Sequence, residues 1–94
     1  MDDALEADEA LTARTIRSFI HDGRLTTIPA REKRRLIIYR YLRDQVFTED
    51  RVYPEAEVNQ RLALFHRDVA TIRRGMVDAG LVTREAGQYR RAGA

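Results

Sequence analysis

The chain has no cysteine, which excludes a disulfide framework and any thiolate metal site. No apolar run approaches the length of about 20 residues that spans a bilayer. The first ten residues, MDDALEADEA, are acidic where a secretory signal is basic and then apolar, so a cytoplasmic protein with no membrane partner is expected. Catalytic signatures are missing as well: there is no glycine-rich phosphate loop, no HExxH and no GxSxG. His21 falls in a turn signal and His66 at a helix junction, without a second histidine at ligand spacing. Capping or surface roles follow for both, and no metal or other cofactor is expected. Glu55 and Glu57 stand two apart and diverge on a helix, so they do not form a catalytic carboxylate pair. A chain of 94 residues builds one core and leaves little room for a catalytic cavity. The expectation is a protein that is not an enzyme.

Lysine is nearly absent too. Of the 17 basic residues all but one are arginine, against 15 acidic residues. The balance is uneven along the chain. Asp2, Asp3, Glu6, Asp8 and Glu9 make residues 1–9 an acidic head with no base, and residues 10–94, read as a single domain, keep ten acids and a net charge of +7. Arginine suits bidentate contact with phosphate or carboxylate. A GC-rich genome produces the same bias, so position carries more information than number.

Residues 4–20 hold Leu5, Leu11, Ile16, Phe19 and Ile20 in an imperfect apolar stripe at helical spacing, which predicts an N-terminal helix. HDGR at 21–24 is a turn signal, and LTTIP at 25–29 reads as an extended segment stopped by Pro29. A long helix is expected from residue 30 or 31 to about Val46, apolar on more than one side through LIIYRYL, as a central helix is. TEDR at 48–51 reads as a turn and Arg51 to Tyr53 as a short strand. Pro54 is expected at the first position of a short helix carrying Val58, Leu62 and Phe65 at i, i+4 and i+7. After a turn of about two residues, a second helix covers residues 67–79 and ends at Gly80. LVTR and QYRR flank EAG at 85–87 as a hairpin over residues 81–91, the loop glycine supplying positive φ. The order is helix, strand, helix, helix, strand, strand, behind an extra helix and an extended segment. It predicts a mainly α, α+β fold: a winged helix-turn-helix with an extra N-terminal helix and a C-terminal β-hairpin wing.

On a wheel of about 100° per residue, Val69, Ile72, Met76 and Ala79 turn to the core, with Arg67, Thr71, Arg74 and Asp78 opposite. Arg67, Thr71 and Arg74 are candidate recognition residues for a DNA major groove, where arginine pairs with guanine edges or grips phosphate. The alternative is a solvated helix face. Arg73, at the edge of the stripe, is read as structural, with its head on a carboxylate such as Glu57 or Asp68. Asp68 itself serves the helix dipole. Gly75 costs about 1 kcal/mol relative to alanine inside a helix, which points to a close backbone approach, the preceding helix being one candidate. In the wing, Arg84, Gln88, Arg90 and Arg91 offer phosphate contact or plain solubility, and Tyr89 packs inward beside Leu81. Arg31, Lys33, Arg34 and Arg35 crowd a helix N-terminus, where the dipole disfavours cations. They are a solvated face, a phosphate contact or a landing place for the acidic head.

Several separated motifs occur in order: FIHDGRLTTIPAREKRRLIIYRYL from Phe19, then RVYPEAEVNQRL, HRDVATIRRGMVDAGLVTRE and YRR to Arg91. In them the chain resembles the bacterial domain of unknown function two-zero-eight-seven, over about three quarters of its length. The resemblance implies a domain found alone or joined to a helix-turn-helix domain in proteins similar to transcriptional regulators, with no settled biochemical role. Where the family pattern often has an aromatic after the aspartate, this chain has Val69. Two functions are consistent with these residues. One is a small transcription regulator that binds double-stranded DNA as a homodimer joined through the N-terminal helix. The other is a protein-interaction module that docks on a regulator or on the transcription machinery.

Overall fold

The computed structural model describes the backbone of residues 3–93 and side chains from Asp8 onward. It is a mixed α+β structure with four helices and two small antiparallel sheets. Helix α1 (Asp3–Phe19) leads into a hairpin of β1 (Ile20–His21) and β2 (Arg24–Leu25). After α2 (Glu32–Val46) come β3 (Tyr53–Pro54), α3 (Glu55–Ala63), α4 (Val69–Asp78), β4 (Val82–Glu85) and β5 (Gln88–Arg91).

Helix α2 is the central element. Its Ile37, Ile38, Tyr39, Leu42 and Val46 are buried on several sides at once, because α1, α3 and α4 all pack on it. Val58 and Leu62 of α3, Ile72 and Met76 of α4, and Tyr53, Leu81, Val82 and Tyr89 from the sheet complete one core. Among the described residues one charged side chain is inside: Arg43, 1% exposed, donates from Nη1 to the Ala92 carbonyl at 2.8 Å and from Nε to Asp44 at 3.1 Å. These bonds satisfy a charge that would otherwise be costly to bury.

The acidic head is continuous with α1, which begins at Asp3, so a boundary at residue 9 falls inside a helix. The side chains of Asp2, Asp3, Leu5 and Glu6 lie outside the described residues. Of the N-terminal stripe, Leu11 and Ile16 are half-buried and Phe19 and Ile20 pack against the core, so these four apolar side chains cover their own domain. The segment around HDGR is more ordered than a turn and an extended run. Ile20 pairs with Leu25 and His21 with Arg24, and Asp22 and Gly23 both take positive φ, as the two central residues of a type I′ turn do.

The three-stranded sheet runs β3-β5-β4. The β4–β5 loop contains two residues, Ala86 at φ 51° and Gly87 at φ 75°, flanked by the pair Glu85–Gln88. Pro54 differs from its expected place: it pairs with Gln88 and caps α3 from outside, at ψ 147°. The lack of an N–H suits a strand end and a helix start equally.

The junction between α3 and α4 is longer than expected, residues 64–68. The N–H groups of Leu64, Phe65 and His66 fold back on the carbonyls of Arg61 and Leu62, and Asp68 caps α4 by accepting from Thr71 N at 3.2 Å. An N-cap must lie outside the helical backbone, which moves the start of α4 from residue 67 to Val69. The junction is held from outside by β2: Leu25 N donates to Phe65 O at 2.9 Å and Arg24 Nη1 to Leu64 O at 2.9 Å. Helix α4 ends in a Schellman arrangement, with Gly80 at φ 74°, Gly80 N on Val77 O and Leu81 N on Met76 O. Ala79, expected on the core face, is the exposed C-cap instead.

Candidate nucleic-acid interface

The apolar stripe of α4 fixes which arginines face out. Ile72 and Met76 are fully buried and Val69 half-buried, while Arg67, Thr71, Arg74 and Asp78 are exposed. Arg67 and Arg74 make no hydrogen bond or ion pair among the described residues. Thr71 is exposed but engaged: its hydroxyl donates to Asp68 Oδ2 at 2.7 Å. The Thr71 hydroxyl and backbone N–H, with weaker help from nearby positive charge, hold the Asp68 carboxyl below its usual range. The N-terminus of α4 thus carries its own anion.

Arg73 is drawn to the body of the protein, as its place beside the stripe requires, but not to Glu57 or Asp68. It donates from Nη1 to Asn59 Oδ1, and its Nε lies 3.6 Å from Glu55 Oε1. Glu57, about 200° round the helix from Glu55, is taken by Arg51 at 2.6 Å and Arg61 at 3.0 Å. Arg51 in turn stacks on Tyr53, 3.7 Å from the ring centre. Glu55 is the residue whose importance the sequence reading missed. Its Oε1 accepts from the Tyr89 hydroxyl at 2.6 Å and lies 3.6 Å from Nε of Arg84. That hydrogen bond, together with Arg73, Arg84 and Arg74, keeps the Glu55 carboxyl below the ordinary range, while burial and the same carboxylate push the Tyr89 phenol up. Glu55 is therefore ionised and Tyr89 protonated at neutral pH. Glu55 ties α3 to α4 and to both strands of the hairpin.

Cross-strand partners share a face of a sheet, and that face alternates along each strand. The pairs Arg84–Tyr89 and Val82–Arg91 belong to one face, Thr83–Arg90 and Glu85–Gln88 to the other. The four wing candidates are split accordingly. Arg84 stands beside α4, where it joins Arg73, Arg74, Glu55, Val77, Asp78 and Tyr89 around a cleft of about 380 Å³. Arg91 is held by Asp44 at 2.7 Å, part of the anchor that Arg43 makes at the end of β5. Gln88 and Arg90 occupy the opposite face, Arg90 3.8 Å from the exposed Asp50.

The AREKRR cluster is dispersed by its own helix. Arg35 folds back on the Ala30 carbonyl at 2.8 Å, capping the turn before α2. Lys33 lies 3.7 Å from Asp8 of α1, so part of the acidic head does meet this cluster. Arg34 lies against α1 with Leu11, Thr15 and Phe19, and Arg31 is exposed at the helix N-cap without a capping hydrogen bond. Gly75 does mark a close approach, but the neighbour is Tyr39 of α2, not α3. Among the described residues there is no cluster of side chains able to hold a metal ion, and no helix is long and apolar enough to cross a membrane.

A family model described as "Uncharacterized protein conserved in bacteria (DUF2087)" matches residues 24–91. The match begins at Arg24, the residue that clasps the α3–α4 junction, and excludes α1. No curated protein and no solved structure matches the chain.

Proposed function

We propose, from the premise that the chain belongs to this family of uncharacterized bacterial proteins, that it is a small regulator that binds double-stranded DNA. In this reading α3 and α4 act as a helix-turn-helix, the β4–β5 hairpin acts as a wing, and the whole is a winged helix-turn-helix. The observation that carries it is the surface shared by α4 and β4: Arg74, exposed and with no hydrogen bond or ion pair among the described residues, lines one cleft with Arg84 of the hairpin, and Arg67 is exposed in the turn before α4. Helix α4 would enter the major groove with Arg74 and the flank of Thr71, joined by Arg67 from the turn before it. Arg84, Arg90 and Arg91 would meet phosphates, Arg91 only after release from Asp44. Two chains related by a two-fold axis would place their α4 helices on half-sites about one helical turn apart, and sedimentation at high micromolar concentration tests that arrangement.

The second reading, a protein-interaction module, has one observation in its favour. Leu64, in the α3–α4 junction, is 67% exposed, an apolar side chain where a protein partner would find it. A salt series of binding to random and genomic DNA fragments separates the two. Four to six phosphate contacts give a slope of log affinity against log salt of about −4 to −5. Arg74→Ala is expected to weaken a specific site by about 1–3 kcal/mol, and Arg90→Ala to weaken all sequences alike. Absence of DNA binding at low salt sinks the first reading.

A further inference from the structure

Of all the charged side chains on this surface, those around the cleft between α4 and the hairpin converge. Arg73 and Arg74 come from α4 and Arg84 from β4, over Glu55 and Tyr89. Guanidinium groups repel one another, so several in one cleft call for an anion. Within the chain that anion is Glu55, and the match is incomplete. The Nε atoms of Arg73 and Arg84 are each 3.6 Å from Glu55 Oε1, beyond hydrogen-bond length. Arg73 Nε is buried with no hydrogen-bond partner among the described residues. Arg74 faces the same space, close enough to act on the Glu55 charge but with no hydrogen bond or ion pair among the described residues. Asp78 lines the cleft as a second carboxylate and also borders the neighbouring groove beside Tyr39. With three arginines against Glu55 and Asp78 the cleft keeps an excess of positive charge, and its two exposed guanidinium groups are those of Arg74 and Arg84.

We propose that this cleft is a phosphate seat, in which Arg74 and Arg84 close on one phosphate group and Glu55 is the internal anion with which that phosphate competes. Arg73, fixed by Asn59 and Glu55, supplies stationary positive charge beneath it. A tetrahedral phosphate presents oxygens to two guanidinium forks from opposite sides, whereas the two oxygens of a carboxylate are matched by one fork. The phosphate belongs either to a DNA backbone, in which case the seat rests on the DNA-binding reading above with Arg74 gripping phosphate and not a base edge, or to a free phosphate compound, in which case it does not.

Inorganic phosphate is titrated against chloride at constant ionic strength, followed by the Nε–Hε NMR resonances of Arg74 and Arg84. A saturable shift in the millimolar range is expected. The double variant Arg74→Ala, Arg84→Ala, whose exposed side chains leave the fold intact by circular dichroism, is expected to weaken phosphate at least about tenfold, the loss of charge-assisted hydrogen bonds. Glu55→Gln keeps an acceptor for Tyr89 and removes the competing charge, so it is expected to tighten phosphate about three- to tenfold. A purely structural Glu55 leaves phosphate affinity unchanged, and that result removes the competition from the proposal.

A short random-sequence duplex forms the second arm. Phosphate and duplex that compete, both depending on Arg74 and Arg84, assign the seat to a backbone phosphate. Saturable phosphate binding with no duplex binding keeps the seat for a free phosphate compound and sinks the DNA reading instead. Absence of a saturable phosphate shift overturns the seat, whether or not a duplex binds through these arginines or another face.

Discussion

Replacing Gly75 by alanine sets two effects of known sign against each other. In an exposed helix interior alanine is better than glycine by about 1 kcal/mol, so the substitution would ordinarily stabilise α4. Here a methyl group at position 75 overlaps Cε2 of Tyr39 and comes within 2.6 Å of Cζ and 2.8 Å of the hydroxyl oxygen. Tyr39 is 5% exposed and packed in the core, so its ring can yield only toward the groove that it lines with Gly75, Leu36 and Asp78. Overpacking of a filled core costs about 1–3 kcal/mol, and contacts this short belong to the upper half of that range. The net expectation is a loss of about 1–2 kcal/mol, or a fall in Tm of about 5–10 °C for a domain of this size. The assay is thermal and urea unfolding of Gly75→Ala in two backgrounds, the natural chain and Tyr39→Leu. With the ring removed, the same alanine is expected to stabilise by up to about 1 kcal/mol, so its sign reverses. If Gly75→Ala is neutral or stabilising with Tyr39 in place, the close packing of α4 on α2 described above is wrong.

Ala86→Gly is expected to stabilise the protein by about 0.5–1 kcal/mol, because Ala86 is exposed at φ 51° and alanine is penalised in the left-handed region; an unchanged urea midpoint counts against the tight hairpin. Stability is expected to fall in acid. Glu55, Glu57 and Asp68 all have folded-state values below their ordinary ones, led by hydrogen bonds from Tyr89, Arg51 and Thr71 respectively. Their contribution is complete above the unfolded carboxylate range of about 4 and disappears as pH drops through the lower folded values. Urea midpoints between about pH 6 and pH 3 are to show that decline, and Glu57→Gln is to flatten it; a decline of undiminished size in the variant refutes the role of Glu57. The pair Asp8→Asn, Glu9→Gln removes the described carboxylates of the acidic head, including the exposed contact with Lys33, and is expected to leave Tm unchanged. It is expected to tighten non-specific DNA binding at low salt, the gain fading as the Debye length shrinks to about 10 Å at 0.1 M. Affinity unchanged across the salt series reduces the head to a solubilising tail.

Periodicity alone determined much of this protein. The stripe of Ile72 and Met76 forces Arg74 outward because side-chain direction on a helix follows from its pitch, and Gly80 and Gly87 mark ends that few other residues can make. Those are local constraints, carried by each residue and its near neighbours along the chain. What only the tertiary structure decided involves partners far apart in sequence. Arg73 meets Glu55 and Asn59, and Tyr89 meets Glu55 across 34 residues. Arg43 is buried against the Ala92 carbonyl, 49 residues away. A list of charges shows that an arginine needs an anion but not which of fifteen acids the fold brings to it. The division of the wing candidates has the same origin. Whether Arg84 or Arg90 faces α4 depends on strand register, and a one-residue slip of either strand would turn its own arginine to the other face. That register is set by pairing across the β3-β5-β4 sheet and by the burial of Tyr89 and Val82, which no single segment of the chain contains.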